Sequence, residues 1–203
     1  MKKLLTLCCV AVLTACSSTN DGYDGSPTYN GRTSSEYRTT MDVTRVDIID
    51  KSRHNGSRYG VENSVSPAPA QMASHWFQNR FSAANNDAYA PRLEVIIHEA
   101  TLTKKPLIID GPNGQPCLQT AKFRRGEAAT YRAAVSIEVR VISCTGQVLA
   151  STFANTFEEQ VLGNNDCTPH RDVSPEALIY KAIQKADDEL ERGVDMYLNR
   201  FVR

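Results

Sequence analysis

Apolar and polar positions alternate most cleanly between residues 130 and 143. There Val135, Ile137, Val139 and Val141 are interleaved with Ser136, Glu138 and Arg140. A period of two predicts a strand with one buried and one wet face. Cys144-Thr145-Gly146-Gln147 reads as a tight turn and 148–158, VLASTFANTFE, as the returning partner, so a hairpin is predicted here. Elsewhere the period changes. Met72, Ala73, Trp76, Phe77 and Phe81 make one helical stripe, predicting a helix at about 68–83 that Asn85-Asn86-Asp87 and Pro91 end. A longer stripe runs through Leu178, Ile179, Ala182, Ile183, Ala186, Leu190, Val194, Tyr197, Leu198 and Phe201, predicting a helix over 175–201. Ser174 suits its N-cap, Pro175 its first position, and Val173 with Leu178 a hydrophobic staple. Gly193 interrupts it at a cost of ~1 kcal/mol relative to alanine.

Two further strands are predicted, at about 42–50 and at 92–103, RLEVIIHEATLT. Asp50 to Pro69 is polar and marked by glycine and proline, and reads as a loop. Lys104 to Ala129 holds no single period; Asp110-Gly111-Pro112-Asn113-Gly114 is a turn signal, and Leu107-Ile108-Ile109 with Cys117-Leu118 form a candidate small hairpin around it. The order strand, helix, strand, strand, strand, helix predicts an α+β domain. Its antiparallel sheet has about four strands, with both helices packed on one face.

The N-terminus follows different rules. Lys2 and Lys3 precede an apolar run from Leu4 to Val12, and Leu13-Thr14-Ala15-Cys16 is a small-residue cleavage site ending in cysteine. This is the layout of a secretory signal peptide. The run is about half the ~20 residues a membrane-spanning helix needs. The Leu-x-Ala-Cys ending resembles the bacterial lipobox. That resemblance implies cleavage before Cys16, acylation of its thiol and amino group, and anchoring of the chain to a membrane by lipid. Ser17 and Ser18 resemble the residues that follow the cysteine in lipoproteins exported to the outer membrane. Residues 17 to about 40 hold almost no aliphatic side chains and cannot offset their ordering entropy by burial, so they read as a flexible tether. The expected organisation is a signal peptide over 1–15, lipidated Cys16 and tether over 16–40, and one α+β domain over 41–203. The element order behind a lipobox and tether resembles YajG-type lipoproteins, the lipopolysaccharide-assembly lipoprotein LptE and the auxiliary lipoproteins of ABC lipid transporters. The resemblance implies a four-stranded sheet packed by two helices and an accessory, non-enzymatic role on the periplasmic side of the outer membrane.

The full chain balances 23 Lys and Arg against 23 Asp and Glu, and loss of Lys2 and Lys3 leaves a mature charge of about −2. A nucleic-acid binder would show a basic excess, so that class is excluded as a reading. Of six cysteines, Cys8 and Cys9 leave with the signal and Cys16 carries lipid. Cys117, Cys144 and Cys167 remain in an oxidising compartment. In the antiparallel arrangement the segments with Cys117 and Cys167 leave the sheet at one end, while Cys144 lies in the turn at the other. Bridged Cα atoms must approach within about 7 Å, so Cys117–Cys167 is the expected disulfide and Cys144 the odd thiol.

No catalytic, metal or cofactor constellation stands out. His54, His75, His98 and His170 lie outside metal-binding spacings, and no Gly-x-Ser-x-Gly occurs. Asp166-Cys167 with His170 and Asp172 offers zinc-type donors, but spread along an Asn/Asp-rich turn they read as a polar loop. Glu158 and Glu159 are adjacent in a strand and point to opposite faces, so they do not form a catalytic pair. Lys104, Lys105, Arg124 and Arg125 bracket the 104–129 excursion and are the candidate partner-binding cations, suited to an acidic protein or phosphate-bearing lipid. The expected function is a lipid-anchored, non-enzymatic envelope lipoprotein that binds a partner protein or lipid. A peptidoglycan or glycan binder is the alternative, and a periplasmic hydrolase ranks third.

Overall fold

The computed structural model describes residues 28–29, 32–33, 38–52, 60–106, 129–162 and 174–203. In chain order the strands are β1 (Thr28–Tyr29), β2 (Arg32–Thr33), β3 (Thr39–Met41), β4 (Val46–Asp50), β5 (Phe81–Ala83), β6 (Arg92–Pro106), β7 (Ala129–Ile142) and β8 (Val148–Leu162). The helices are α1 (Pro69–Arg80) and α2 (Pro175–Gly193). The main sheet has the order β4-β6-β7-β8. β6, β7 and β8 are antiparallel neighbours, but β4 runs parallel to β6. The sheet is therefore mixed, which corrects the all-antiparallel expectation. The physical reason is connectivity: α1 lies between β4 and β6 and carries the chain back, as parallel neighbours require. β3 and β5 form a second, parallel pair at the start of the domain. β1 and β2 form a short antiparallel pair of their own.

One set of sheet side chains meets the helices. Leu93, Val95, Ile97, Ala100 and Leu102 of β6 and Ala133, Val135, Ile137, Val139 and Val141 of β7 are buried. They join one cluster with Met72, Trp76 and Phe77 of α1 and Leu178, Ile179, Ile183 and Leu190 of α2. Fully burying each large aliphatic side chain stabilises by ~1.5–3 kcal/mol. Gln71 Oε1 accepts the Ala68 N–H at 3.3 Å where α1 begins. Ser174 Oγ accepts the Ala177 N–H at 3.2 Å where α2 begins.

α1 stops earlier than its apolar stripe. Phe81 leaves the helix and enters β5, still buried. The stretch predicted as one helix over 175–201 is three: α2, a π-helical turn at Val194–Leu198 and a 3₁₀ turn at Asn199–Phe201. Gly193 sits at the first junction for a reason the sequence hides. A Cβ there would stand 1.9 Å from Thr152 Oγ1 of β8. The glycine lets the helix approach the strand.

The two helices are also clasped by polar groups. Arg80 Nε donates to Asp187 Oδ1 at 2.8 Å and the Trp76 indole N–H donates to Asp187 Oδ2 at 3.2 Å. Burial pushes the Asp187 carboxyl above its usual range, because Arg80 and Trp76 offset only part of the desolvation. Deleting one partner of such a buried pair typically costs about 3–5 kcal/mol.

Register fixes the two ends of the sheet. Pro106, Ala129 and Leu162 are side by side at one end, from which the 107–128 and 163–173 segments depart (the loop end). The Ser143–Gln147 turn, closed by a Ser143 N–H bond to the Gln147 carbonyl at 2.8 Å, lies at the other (the turn end). The 14 residues of β7 separate them by about 45 Å. Gly146, with φ 88°, supplies the left-handed residue of the turn. Among the described residues no helix is long and apolar enough to cross a membrane.

Candidate functional site

The sheet side chains that alternate with the core set form an outer face, and its two halves differ. Toward the turn end it carries a chain of alternating charges. Arg45 Nε meets Asp47 at 2.9 Å, and Arg92 Nη2 meets Glu94 at 2.9 Å and Arg92 Nε lies 3.8 Å from Asp47. Arg140 bridges Glu94 at 3.8 Å and Glu138 at 3.6 Å, and Glu138 meets His98 Nε2 at 2.8 Å. Beneath these side chains Ile96 and Ile142 are buried, although neither belongs to the helix-side core. Long charged side chains cover apolar surface with their stems while their heads stay wet. This half is a roof.

Toward the loop end the roof is missing. An open trough of about 360 Å³ is lined by Glu99, Thr101, Thr103, Arg132, Ala134, Asn155, Thr156 and Phe157. Three cross-strand rows build it: Glu99–Ser136–Asn155, Thr101–Ala134–Phe157 and Thr103–Arg132–Glu159. The middle strand contributes small residues, Ala134 and Ser136, between taller neighbours on β6 and β8, and that difference in height makes the floor. Glu99 reaches this face through a bulge. Ile97 pairs with Ile137 and Glu99 with Ser136, leaving His98 as an extra residue. The bulge thus adds His98 to the same face as its neighbour. Its ring lies 6.1 Å from that of Phe153.

The trough's polar groups are incompletely matched. Arg132 has no ion-pair partner among the described residues; its Cζ lies 4.2 Å from the centre of the Phe157 ring. Phe153 and Phe157 are exposed by 52% and 51%, large values for such side chains. Glu99 Oε1 accepts the Thr101 hydroxyl at 2.9 Å. On the helix side of the same edge, Lys181 and Lys185 hold Glu158 at 3.1 and 3.2 Å. Burial alone would raise the Glu158 carboxyl, but the hydrogen bonds and charges of the two lysines outweigh it and hold it below the usual range.

The candidates named from sequence are distributed unevenly. Lys104 and Lys105 end β6, but as strand neighbours they part. Lys104 lies in register with Tyr131, its Nζ 5.5 Å from that ring, while Lys105 is exposed one row beyond Thr103 on the outer face. Arg124, Arg125, Cys117, Cys167, His170 and Cys16 lie outside the described residues. Cys144 is free and exposed at the turn end. His98 is exposed and bonded to Glu138. Among the described residues no group of three metal-ligating side chains comes together. Sequence reasoning missed Arg132, Asn155 and Phe157. The available signal was the pair of small residues, Ala134 and Ser136, on the polar side of a strand whose other outward residues are long.

No family model and no curated protein sequence matches this chain. Among solved structures it is similar to a neuraminyllactose-binding hemagglutinin homolog from Helicobacter pylori, at 6% identity and a TM-score of 0.39, over 77% of this chain and 87% of that one. It is also similar to the rare lipoprotein B from Shewanella oneidensis, at 11% identity and a TM-score of 0.32, over 75% of this chain and 95% of that one. Likenesses this loose assign neither a family nor an activity.

Proposed function

We propose that this chain is a bacterial envelope lipoprotein, acylated at Cys16, whose α+β domain serves as a non-enzymatic binding module on the periplasmic side of the outer membrane. The lipobox residues Leu13-Thr14-Ala15-Cys16 support the anchor. The trough on the loop half of the outer face supports the binding role: it is concave, and its guanidinium lacks an internal carboxylate among the described residues, whereas the neighbouring half is closed by its own ion pairs. Concave sites with a few convergent polar groups are the usual carriers of ligand recognition. Lys105 extends the positive edge of the trough toward the loop end; Arg124 and Arg125 as further partner-binding cations, and a Cys117–Cys167 disulfide, belong to the same proposal.

The test uses cells expressing the full chain with a photocrosslinking residue at Asn155 or, as a control, at Lys181 on α2. A discrete adduct is expected through position 155 and not through 181. Metabolic labelling with a fatty-acid analogue is expected to mark the protein and to be lost in Cys16→Ser. Equal crosslinking through both positions sinks the outer-face reading; equal labelling of wild type and Cys16→Ser sinks the anchor.

A further inference from the structure

We propose that the trough binds a carboxylated saccharide, with Arg132 as the residue that receives the carboxylate. The inference rests on the outer-face reading above and names the ligand class for it.

The first step is exclusion. The trough lies over β7 and the β7-facing sides of β6 and β8, whose main-chain groups are consumed by the two ladders. An extended peptide cannot add as a strand there, so recognition must run through side chains. The second step is the donor and acceptor inventory. Thr101 and Thr103 offer hydroxyls, Asn155 both an amide donor and a carbonyl acceptor, and Glu99 an acceptor oxygen with no partner among the described residues. Such a mixture matches a polyhydroxyl ligand, in which every hydroxyl both donates and accepts. The third step is the aromatic flank. Phe153 and Phe157 stand four residues apart on β8, about 13 Å, on either side of Asn155. They offer apolar edges to the C–H side of sugar rings while the floor meets the hydroxyls.

Arg132 sets the charge. Its guanidinium rests on Phe157, which restricts the side chain at little cost, since guanidinium–aromatic contact is itself favourable. A planar, five-donor cation held in place and unmatched is suited to bidentate pairing with a carboxylate. From the Arg132 row to the Ser136 row is again about 13 Å, room for a disaccharide. In the compartment that the lipobox implies, N-acetylmuramic acid carries a carboxylate on its 3-O-lactyl ether, free wherever the stem peptide has been removed, and a peptide-free glycan of that kind is the ligand assigned.

The experiment titrates the mature protein calorimetrically with two disaccharides, N-acetylglucosaminyl-N-acetylmuramic acid and the neutral chitobiose. Chitobiose is expected to bind about tenfold more weakly, the effect of one charge-assisted pair. Arg132→Gln should lose about the same factor for the acidic sugar and nothing for the neutral one. Ala134→Tyr, which fills the floor, should abolish both while leaving the unfolding midpoint in place. Equal affinity for the two sugars, insensitivity to Arg132→Gln, or no binding of either overturns the proposal. If neither sugar binds but the position-155 adduct forms in cells, the outer face stands and the saccharide is wrong. If the adduct is absent too, both fail.

Discussion

The two halves of the outer face share strands, twist and solvent, yet one is finished and the other is not. On the turn half, every long charged side chain from Arg45 to His98 meets an opposite partner, and the apolar side chains beneath are covered. On the loop half, small residues replace long ones on β7, a cation lies unmatched, and the Phe157 ring stands half in water, with Phe153 exposed at the boundary beside Glu138. A sheet face opposite its helices can be closed by its own ion pairs. Here that is done over one half only, and the remainder is where the proposed ligand would sit.

The largest expected effect breaks the comparison at Ile96. It is fully buried under the roof, so Ile96→Ala should destabilise by about 2–4 kcal/mol, as for a core position. Ala134→Leu on the loop half should change stability by less than about 0.5 kcal/mol. Urea unfolding of both variants decides it; similar losses at the two positions would show that the trough is part of the structural core.

A smaller effect sharpens the account of the roof. Arg140 sits between Glu94 and Glu138, and its side chain is a quarter exposed. A double-mutant cycle of Arg140→Met with Glu94→Gln should return a coupling of about 0.2–1 kcal/mol, reduced by added salt. A coupling that salt leaves unchanged would mean the roof acts through packing of the stems alone.

The smallest effect contrasts Glu158 and Glu159, neighbours on opposite faces of β8. Glu158 is held by Lys181 and Lys185 and its carboxyl is depressed below the usual range. A depressed acid contributes stability that is complete above its unfolded value of about 4.3 and is lost as pH falls through the lower folded value. Lying partly in solvent, the pair is screened, so Glu158→Gln should cost at most about 1 kcal/mol at neutral pH. The difference from wild type should shrink as the solution is acidified below the unfolded value. Glu159→Gln, on the outer face, should lie within about 0.5 kcal/mol of wild type at neutral pH. Guanidinium unfolding between pH 3 and 7 measures both.

The elements that carry their own period were legible in the chain. Val135 to Val141 and the stripe from Leu178 to Leu190 each state which side is buried, and Ser174-Pro175 marks a helix start. What depended on partners was not legible. The parallel pairing of β4 with β6 follows from where α1 returns the chain. The bulge at His98 shows only when Ile97 and Glu99 are set against Ile137 and Ser136. Gly193 reads as a defect until Thr152 is placed beside it. The trough was hidden for the same reason. Glu99, Arg132 and Asn155 lie on three strands, and only register makes them neighbours. Lys104 and Lys105 look like one charge cluster along the chain, but the strand period divides them between faces.

The helix clasp also has an optical consequence. Trp76 is the single tryptophan of the chain, and its indole N–H ends on Asp187, in the seam where α1 meets α2. The protein therefore carries a native fluorophore at the joint between its two helices, remote from both halves of the outer face. Its emission follows the closing of that seam without any added label, and a ligand in the trough leaves it dark to the event unless the helices themselves shift.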